Sequence, residues 1–574
     1  MNISDLYVHA SSSAPPLRVG VLLDDVVLGR LFAEVVRDIW RSNFAALELL
    51  VLNRAAPRAQ EQHRQRSISG RDPQLRHTLG WDLYTWLDRR YFFTEDNPLA
   101  LEDGRELLAG VDTLRVMPIT TQFADRFPEE AVAAVRAKDL HVLLRFGFNI
   151  LRGDILKAAR YGVWSFHYGD NDYYRGGPAH LWEMIEGNPL SGVVLQVLTE
   201  ELDAGQVLAK GLFATQPGIS LIRNRIQPYW GSEHMVIQKL WEVREYGWEH
   251  VKSGILPAAP YQGKKIYGTP ANREIVRWLL PQLATKAAGR AYRMLRRTDH
   301  VEHWRIAIRA GKPPVGAAPL IMDGFRWMES PRGHFYADPF LFEKDGRRHL
   351  FLEDLDCKEN RGVIAHAEIS SAGEVGEVRT VLDTGAHASY PCVFADGGDV
   401  YMIPETLEDC SVRLFRAKRF PEEWEEEAQL FKGPAVDTSV WRQDGLWWFF
   451  TTLQEPRGQG MALYVFWSET LTGRWQYHPR NPISFDVRRA RGAGSIFRQG
   501  EILIRPSQDC SGRYGRAFAL NRIVTLTREE YEEELLHVVE PQWAPGLLAT
   551  HTYNRLGDLE VTDGRCLLPR AAVW

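Results

Sequence analysis

The chain has 574 residues, room for three or four average domains or two large ones, which excludes a single small module. Hydrophobic residues at 45% and charged residues at 25% exclude a disordered, collagenous or membrane-spanning chain. A net charge of -5 gives no basic footprint for nucleic acid, so none is expected as a partner.

The N-terminus has no basic segment leading into a long apolar run, and no stretch approaches about eighteen apolar residues, so a cytoplasmic soluble protein is expected. From Leu17 the run RVGVLL forms a strand candidate. Leu28, Leu31, Phe32, Val35, Val36, Ile39 and Trp40 then recur at helical spacing, and LELLVL at 47–52 gives a second strand. The Arg- and Gln-rich, then aromatic, sequence at about 54–96 reads as an insertion. Alternation resumes with the strand DTLRVMPI, the helix EEAVAAVRA, the strand DLHVLLRFGF and the helix DILKAARYG, which predicts a mostly parallel α/β sheet of Rossmann-like type. Asp24 and Asp25 occupy the turn after the first strand where a G-x-G-x-x-G would stand, which argues against a dinucleotide site of that type.

Residues 255–303 read as a basic helical linker, with the helix VRWLLPQLATKAAGRAYRMLRR at its centre. A membrane surface suits its charge, but Pro281 and Gly289 favour a solvated helix packed between domains. From about 304 to 574 the texture becomes short β segments joined by Asp-Gly and Gly-Gly turns. YADPFLF, SYPCVFA, VDTSVWR, GAGSIFR and ATHTYNR recur at spacings of 52, 47, 56 and 58 residues, a period that predicts a five-bladed β-propeller. All five cysteines fall in this half, are odd in number and lack C-x-x-C spacing, so they read as reduced, buried thiols, and no metal site is expected.

Chemistry concentrates in the segment from Ser165 to Gly211: a strand ending at His167, a Gly/Asp/Tyr loop with Arg175-Gly176-Gly177, the helix AHLWEMIEG, the strand GVVLQVL, and an acidic turn with Asp203. Functional groups of an open α/β sheet collect at strand C-termini, and a His beside a carboxylate can handle a proton during acyl transfer. His167, Arg175-Gly176 and Leu202-Asp203-Ala204-Gly205 together resemble the pattern of the folate-dependent formyltransferases over about residues 17–230. That resemblance implies 10-formyltetrahydrofolate as donor, His167 and Asp203 as catalytic residues, and Phe146, Gly147, Asn171, Arg175 and Gly176 as substrate or cofactor contacts. The family's Asn is Ser165 here, a shorter donor to the developing oxyanion, with Asn171 a candidate replacement; losing one such donor costs roughly 10²–10³ in rate.

YADPFLF, HLFLED, HASYPCVF, YMIPET, FPEEW, VDTSVW, RPSQDCSGRYG and HTYN resemble the five-bladed domain of glucosamine inositolphosphorylceramide transferase-like proteins, itself similar to the family 43 glycoside hydrolases. By that resemblance Asp338 matches a base position and Asp437 a modulator, with Glu405 or Glu353 as the acid. Tyr390, His387, Arg491, Arg505, Gln508, Asp509, Tyr514, His551 and Asn554 add polar groups at strand starts, suited either to a sugar or to a hydrogen-bond network closing the ring.

The expected architecture is therefore an α/β formyltransferase-like domain (1–254), the linker (255–303) and a propeller (304–574). The expected function is N-formylation of an amino sugar, nucleotide sugar or glycan precursor, the propeller binding the sugar. A propeller-centred glycosidase or glycosyl-transfer enzyme and a noncatalytic carbohydrate-binding protein are the alternatives, and a homo-oligomer is left open.

Overall fold

A computed structural model describes residues 2–55, 78–121, 124–201, 205–255, 260–296, 300–311, 320–455, 457 and 460–574. The chain divides into two compact units, residues 2–287 with 457–460, and 288–456 with 461–574. Among the described residues no helix is long and apolar enough to cross a membrane.

The first unit is built on β1 (Leu17–Leu23), β2 (Ala45–Asn53), β3 (Asp112–Val116), β4 (Val142–Arg145), β5 (Val163–His167), β6 (Leu190–Val197) and β7 (Gln206–Ala214), ordered β7-β6-β5-β4-β1-β2-β3 across one sheet. The five strands from β5 to β3 run parallel, and β6 and β7 add antiparallel at one edge. β1 is buried at nearly every position, as a strand covered on both faces must be. One cover is the helix α1 (Arg30–Arg41), whose Leu31, Val35, Val36 and Ile39 are buried at helical spacing. The chain moves outward from β1 through β2 to β3 and then returns to β4 on the other side of β1. The crevice between the C-terminal ends of β1 and β4 is thus the topological switch point, where open α/β sheets place ligands.

Two readings of the sequence change. The insertion contains a helix, α2 (Leu79–Phe92). DILKAARYG is only a short 3-10 turn at Asp154–Lys157, because Ile155, Leu156, Ala158 and Ala159 are all buried and leave no solvent-facing helical side. The linker helix, α3 (Asn272–Arg296), buries Ile275 and Trp278 and runs through Pro281.

The second unit is a succession of antiparallel sheets, five among the described residues. They begin at His334–Lys344, Ser389–Asp396, Ala435–Gln443 and Arg491–Gly492, and the last joins the two ends of the unit, His300–Ala310 pairing with Leu559–Pro569 over its whole length. Asp345-Gly346, Gly397-Gly398 and Asp444-Gly445 all have positive φ, the turn geometry that matches the twist of a two-residue hairpin. The recurrence seen in the sequence has a conformational cause. Asp338, Tyr390 and Asp437 have φ of 48, 47 and 48°, and each sits in a register shift where the first strand of its sheet bulges away from the second. Left-handed backbone at a non-glycine residue is strained and concentrates at functional positions.

Candidate functional site

In the first unit the parallel register sets Arg145 at the end of β4 beside Ser165 on β5, and the side chains meet: Arg145 Nη1 donates to Ser165 Oγ at 3.1 Å. Arg145 also donates to the carbonyls of Phe148 (3.0 Å) and Asn149 (3.2 Å), which fixes the guanidinium at the strand end. His167 is buried two residues on, its Nε2 2.9 Å from the carbonyl of Tyr174, so the neutral ring keeps its proton on that nitrogen. The loop between them is pinned by Lys210, whose Nζ reaches Asp170 and Asp172 at 2.6 Å each.

The other residues expected to contact a ligand are spread around this edge. Phe146 stacks on Phe32 with centroids 4.4 Å apart. Gly147 lies against the end of β1, and a Cβ there would stand 2.3 Å from the backbone nitrogen of Asp24. Asp24 in turn accepts from Phe148 N (2.8 Å) and Asn53 Nδ2 (2.9 Å), so the acidic turn noted in the sequence braces the switch-point loop. Asn171 is buried and its Oδ1 has no hydrogen-bond partner among the described residues. Arg175 packs over the Tyr261 ring at 4.7 Å and donates to the Asn171 carbonyl. Gly176 has φ +94° and would clash with the Tyr267 carbonyl if it carried a Cβ. Asp203 lies outside the described residues. Arg145 stands in DLHVLLRFGF, which the sequence shows only as a strand, and nothing local marks its role.

In the second unit the bulges gather a buried ionic cluster. Ala337 pairs with Glu353, Ser389 with Glu405 and Val436 with Thr452, so Glu353 and Glu405 occupy one register position in successive sheets, each opposite the residue before a bulge. Arg491 lies between the Asp437 and Glu405 carboxylates: its Nε donates to Asp437, and its Nη2 is 3.4 Å from Glu405. Gln508 Nε2 donates to Asp437 at 2.9 Å. On the other side, Thr552 Oγ1 donates to Asp338 at 2.7 Å, and His551 stands between Asp563 (Nδ1 to Oδ2, 2.7 Å) and Asp338 (Nε2 to Oδ1, 3.6 Å). Trp304 stacks on the His551 ring at 4.0 Å. His387 Nε2 is 3.4 Å from Glu353.

This crowding sets the protonation states. Burial, with Asp437 and Asp563 nearby, pushes the Asp338 carboxyl up to about 6 against the opposing pull of His551. Burial and then the Asp338 charge hold Glu353 well above the usual carboxylate range, and burial and then Asp437 do the same for Glu405 despite Arg491. Burial works against a charge on His551, but Asp563 and Asp338 outweigh it and raise the imidazole. The cluster thus offers both proton donors and proton acceptors near neutral pH. Tyr514 stays 41% exposed, 4.9 Å from the Arg491 guanidinium and edge-on to His551, so an aromatic face borders the ionic groups.

Asp338, Glu353, Glu405, Asp437, Arg491, Gln508 and His551 are therefore brought together. Tyr390 joins through structure: its hydroxyl meets Ser439 (2.9 Å) and accepts from Gly494 N (2.6 Å). Asn554 likewise ties the Pro339 carbonyl to Ser495 N. Arg505 is elsewhere: it is buried in a two-point pair with Glu533 at 2.8 Å, and Asp509 pairs with Arg516. Arg505 and Gln508 are three residues apart in one strand, so they lie on opposite faces. Asp563 was missed because Asp563-Gly564 reads as a turn dipeptide, yet both residues lie inside the strand Leu559–Pro569.

Residues 298–544 match the family model described as glucosamine inositolphosphorylceramide transferase 1, N-terminal. Over 254 residues the chain is 34% identical to the glucosamine inositolphosphorylceramide transferase 1 of Oryza sativa subsp. japonica, covering 40% of this chain and 34% of that protein. The chain thus spans about a third of the length of that curated relative. The N-terminal part is similar to the methionyl-tRNA formyltransferase of Prochlorococcus marinus, 36% identical over 70 residues, or 12% of this chain and 20% of that one. Among solved structures, a glycinamide ribonucleotide transformylase 1 from Symbiobacterium toebii aligns with 45% of this chain and 93% of its own (13% identity, TM-score 0.27). A thermostable family-43 glycoside hydrolase aligns with 36% and 76% (13% identity, TM-score 0.29).

Proposed function

We infer that the first unit is an N-formyltransferase acting on an amino sugar or an amino-sugar-containing glycan precursor, and that the second unit, a five-bladed propeller, binds the sugar. The observation that carries this reading is the contact of Arg145 with Ser165, two residues before His167 on the same strand, at the carboxyl edge of the parallel sheet next to the switch point. 10-Formyltetrahydrofolate, when bound, supplies the formyl group. The residues present suit such a ligand: Asn171 Oδ1 is a buried acceptor with no hydrogen-bond partner among the described residues, and the strand ends carry one cation and two polar side chains.

In the transfer a bond forms between the acceptor amine and the formyl carbon, the bond from that carbon to the donor nitrogen breaks, and the amine loses a proton. Negative charge builds on the formyl oxygen on the way. Arg145 is a fixed cation placed to oppose that charge, and a preorganised donor in a dry site is worth several kcal/mol there. Ser165 orients the guanidinium, His167 takes up the amine proton at Nδ1, its Nε2 proton being held on the Tyr174 carbonyl, and Asp203 sets the state of His167. Serine at this position is then compensated by the arginine one strand over.

A second reading is favoured by Glu353 and Glu405, whose carboxyls burial and neighbouring anions raise, beside Asp437, which Arg491 and Gln508 hold by its oxygen: raised carboxyls gathered in this way suit acid/base work on a glycosidic bond. One experiment separates the two. The protein is incubated with 10-formyltetrahydrofolate and a set of amino sugars, and tetrahydrofolate release is followed for the wild type, His167→Ala and Asp338→Asn. Release that His167→Ala abolishes and Asp338→Asn only weakens through KM supports formyl transfer. No release with any amine, together with glycoside cleavage that Asp338→Asn abolishes, supports the second reading.

A further inference from the structure

The first unit carries an apolar groove that neither reading uses. It lies between α2 and α3, encloses about 460 Å³, and is lined almost wholly by carbon. Leu83, Leu87 and Tyr91 recur at four-residue spacing along α2, and Val276, Leu280 and Leu283 along one side of α3; all six are exposed, Tyr91 to 72% and Leu280 to 63%. The groove is a built feature rather than a loose edge. Its floor is Tyr84 and Ile275, packed on the buried Trp278, the Tyr84 hydroxyl donates to the Ile219 carbonyl at 2.8 Å, and Asn272 Oδ1 accepts from Gly80 N at 2.7 Å to tie the two helices. An apolar surface of this kind, left open on both helices, marks an interaction site.

Charge says what covers it. Arg90 on α2 and Arg273, Arg277 and Lys286 on α3 are exposed beside these apolar positions, whereas Asp82, the one exposed acid on these two helices among the described residues, stands with Arg89 on the far side of α2 from Leu83, Leu87 and Tyr91. Two-fold pairing with a second copy would set this cationic rim against itself, since an isologous interface presents the same patch from both sides. A surface that is apolar inside and anionic at its boundary matches both features at once. We propose that α2 and α3 dock the protein on an anionic bilayer, their leucines and aromatics entering the boundary between head groups and acyl chains and their arginines and lysine meeting lipid phosphates. The basic helix that reads from its sequence as solvated linker is then a peripheral anchor. Nothing in it crosses the membrane, in keeping with the absence of a spanning helix among the described residues.

The test uses the full chain and sedimentation with vesicles of phosphatidylcholine alone or with about a third phosphatidylserine. The expected result is binding to the anionic vesicles that weakens as salt is raised, and binding at least about tenfold weaker to phosphatidylcholine alone. Leu83→Glu with Leu280→Glu lowers binding to both, and Arg277→Glu with Lys286→Glu lowers only the anionic component. All four positions are exposed, and thermal unfolding of each variant verifies that it folds; Leu83→Ser with Leu280→Ser replaces the first pair if it does not. Three outcomes overturn the proposal: no sedimentation with either vesicle, binding that the leucine variants leave intact, or a dimer in light scattering that the same variants dissolve.

Discussion

Asp338 and His551 approach to 3.6 Å across the second unit although 213 residues separate them, and Asp563 holds the other nitrogen of the same ring at 2.7 Å. Each member of the pair shifts the other. The Asp338 carboxyl is raised to about 6, so its ionisation costs stability as pH climbs from its ordinary value near 4 toward 6. The raised His551 contributes stability that is complete below about 6.5 and is lost as pH rises through its elevated folded value. Asp338→Asn removes the first loss outright and, by taking away one anion, moves the second to lower pH and shrinks it. The urea midpoint plotted against pH should therefore fall less steeply between about 4 and 8 in the variant than in the wild type. Parallel curves would show that the Asp338 carboxyl is not raised and does not act on His551.

Arg491 is buried with two carboxylates, and its contribution is best seen by removing it. Arg491→Met leaves the buried Asp437 without its cation, and breaking a buried pair from one side costs about 3–5 kcal/mol. The double change Arg491→Met, Asp437→Asn should recover most of that loss, because no uncompensated charge remains. Denaturant unfolding of the two variants measures the difference; equal losses would mean that Arg491 acts through packing alone.

Much of this cluster is written in the sequence as a recurrence, and the reason is conformational. Asp338, Tyr390 and Asp437 stand out at near-constant spacing because each fills the same left-handed bulge, a local demand that leaves a local signature. Asp563 and Arg145 left none: the first is disguised by its Asp-Gly pairing, and the second acquires meaning only when β4 and β5 are laid side by side in register. Arg505 shows the converse error. Its polarity inside a β segment suggested the pocket, but its odd spacing from Gln508 turns it to the opposite face, where Glu533 neutralises it. Pattern along one strand was legible; partnership between strands was not.

Gly147 tests whether the switch-point loop must keep its close seat on β1. An added Cβ would lie 2.3 Å from Asp24 N and 2.6 Å from the Leu23 carbonyl carbon, both backbone atoms that cannot rotate away. Gly147→Ala should push the loop off the strand, break the Asp24 bond to Phe148 N, and destabilise the protein by about 1–3 kcal/mol. If the loop contacts the folate, equilibrium dialysis with 10-formyltetrahydrofolate should show weaker binding at temperatures where the variant is still folded. Unchanged stability would contradict the packing, and unchanged folate retention would remove the loop from the binding site.

Arg145 gives the sharpest division between catalysis and structure in the first unit. Its guanidinium is held by Ser165 and by two loop carbonyls, so Arg145→Lys keeps the charge but loses the planar fork, and Arg145→Gln loses the charge. If the cation opposes charge on the formyl oxygen only as the transition state forms, kcat should fall by roughly 10²–10³ in Arg145→Gln while KM for the amine stays within about threefold. Ser165→Ala should cost less, near tenfold, because it frees the guanidinium without removing it. Asparagine at 165 offers its own amide donor to the same oxygen, so the double variant Ser165→Asn, Arg145→Gln should regain part of the rate lost in Arg145→Gln. A purely structural arginine predicts the opposite pattern: a stability loss that tracks the rate loss, and no rescue by asparagine.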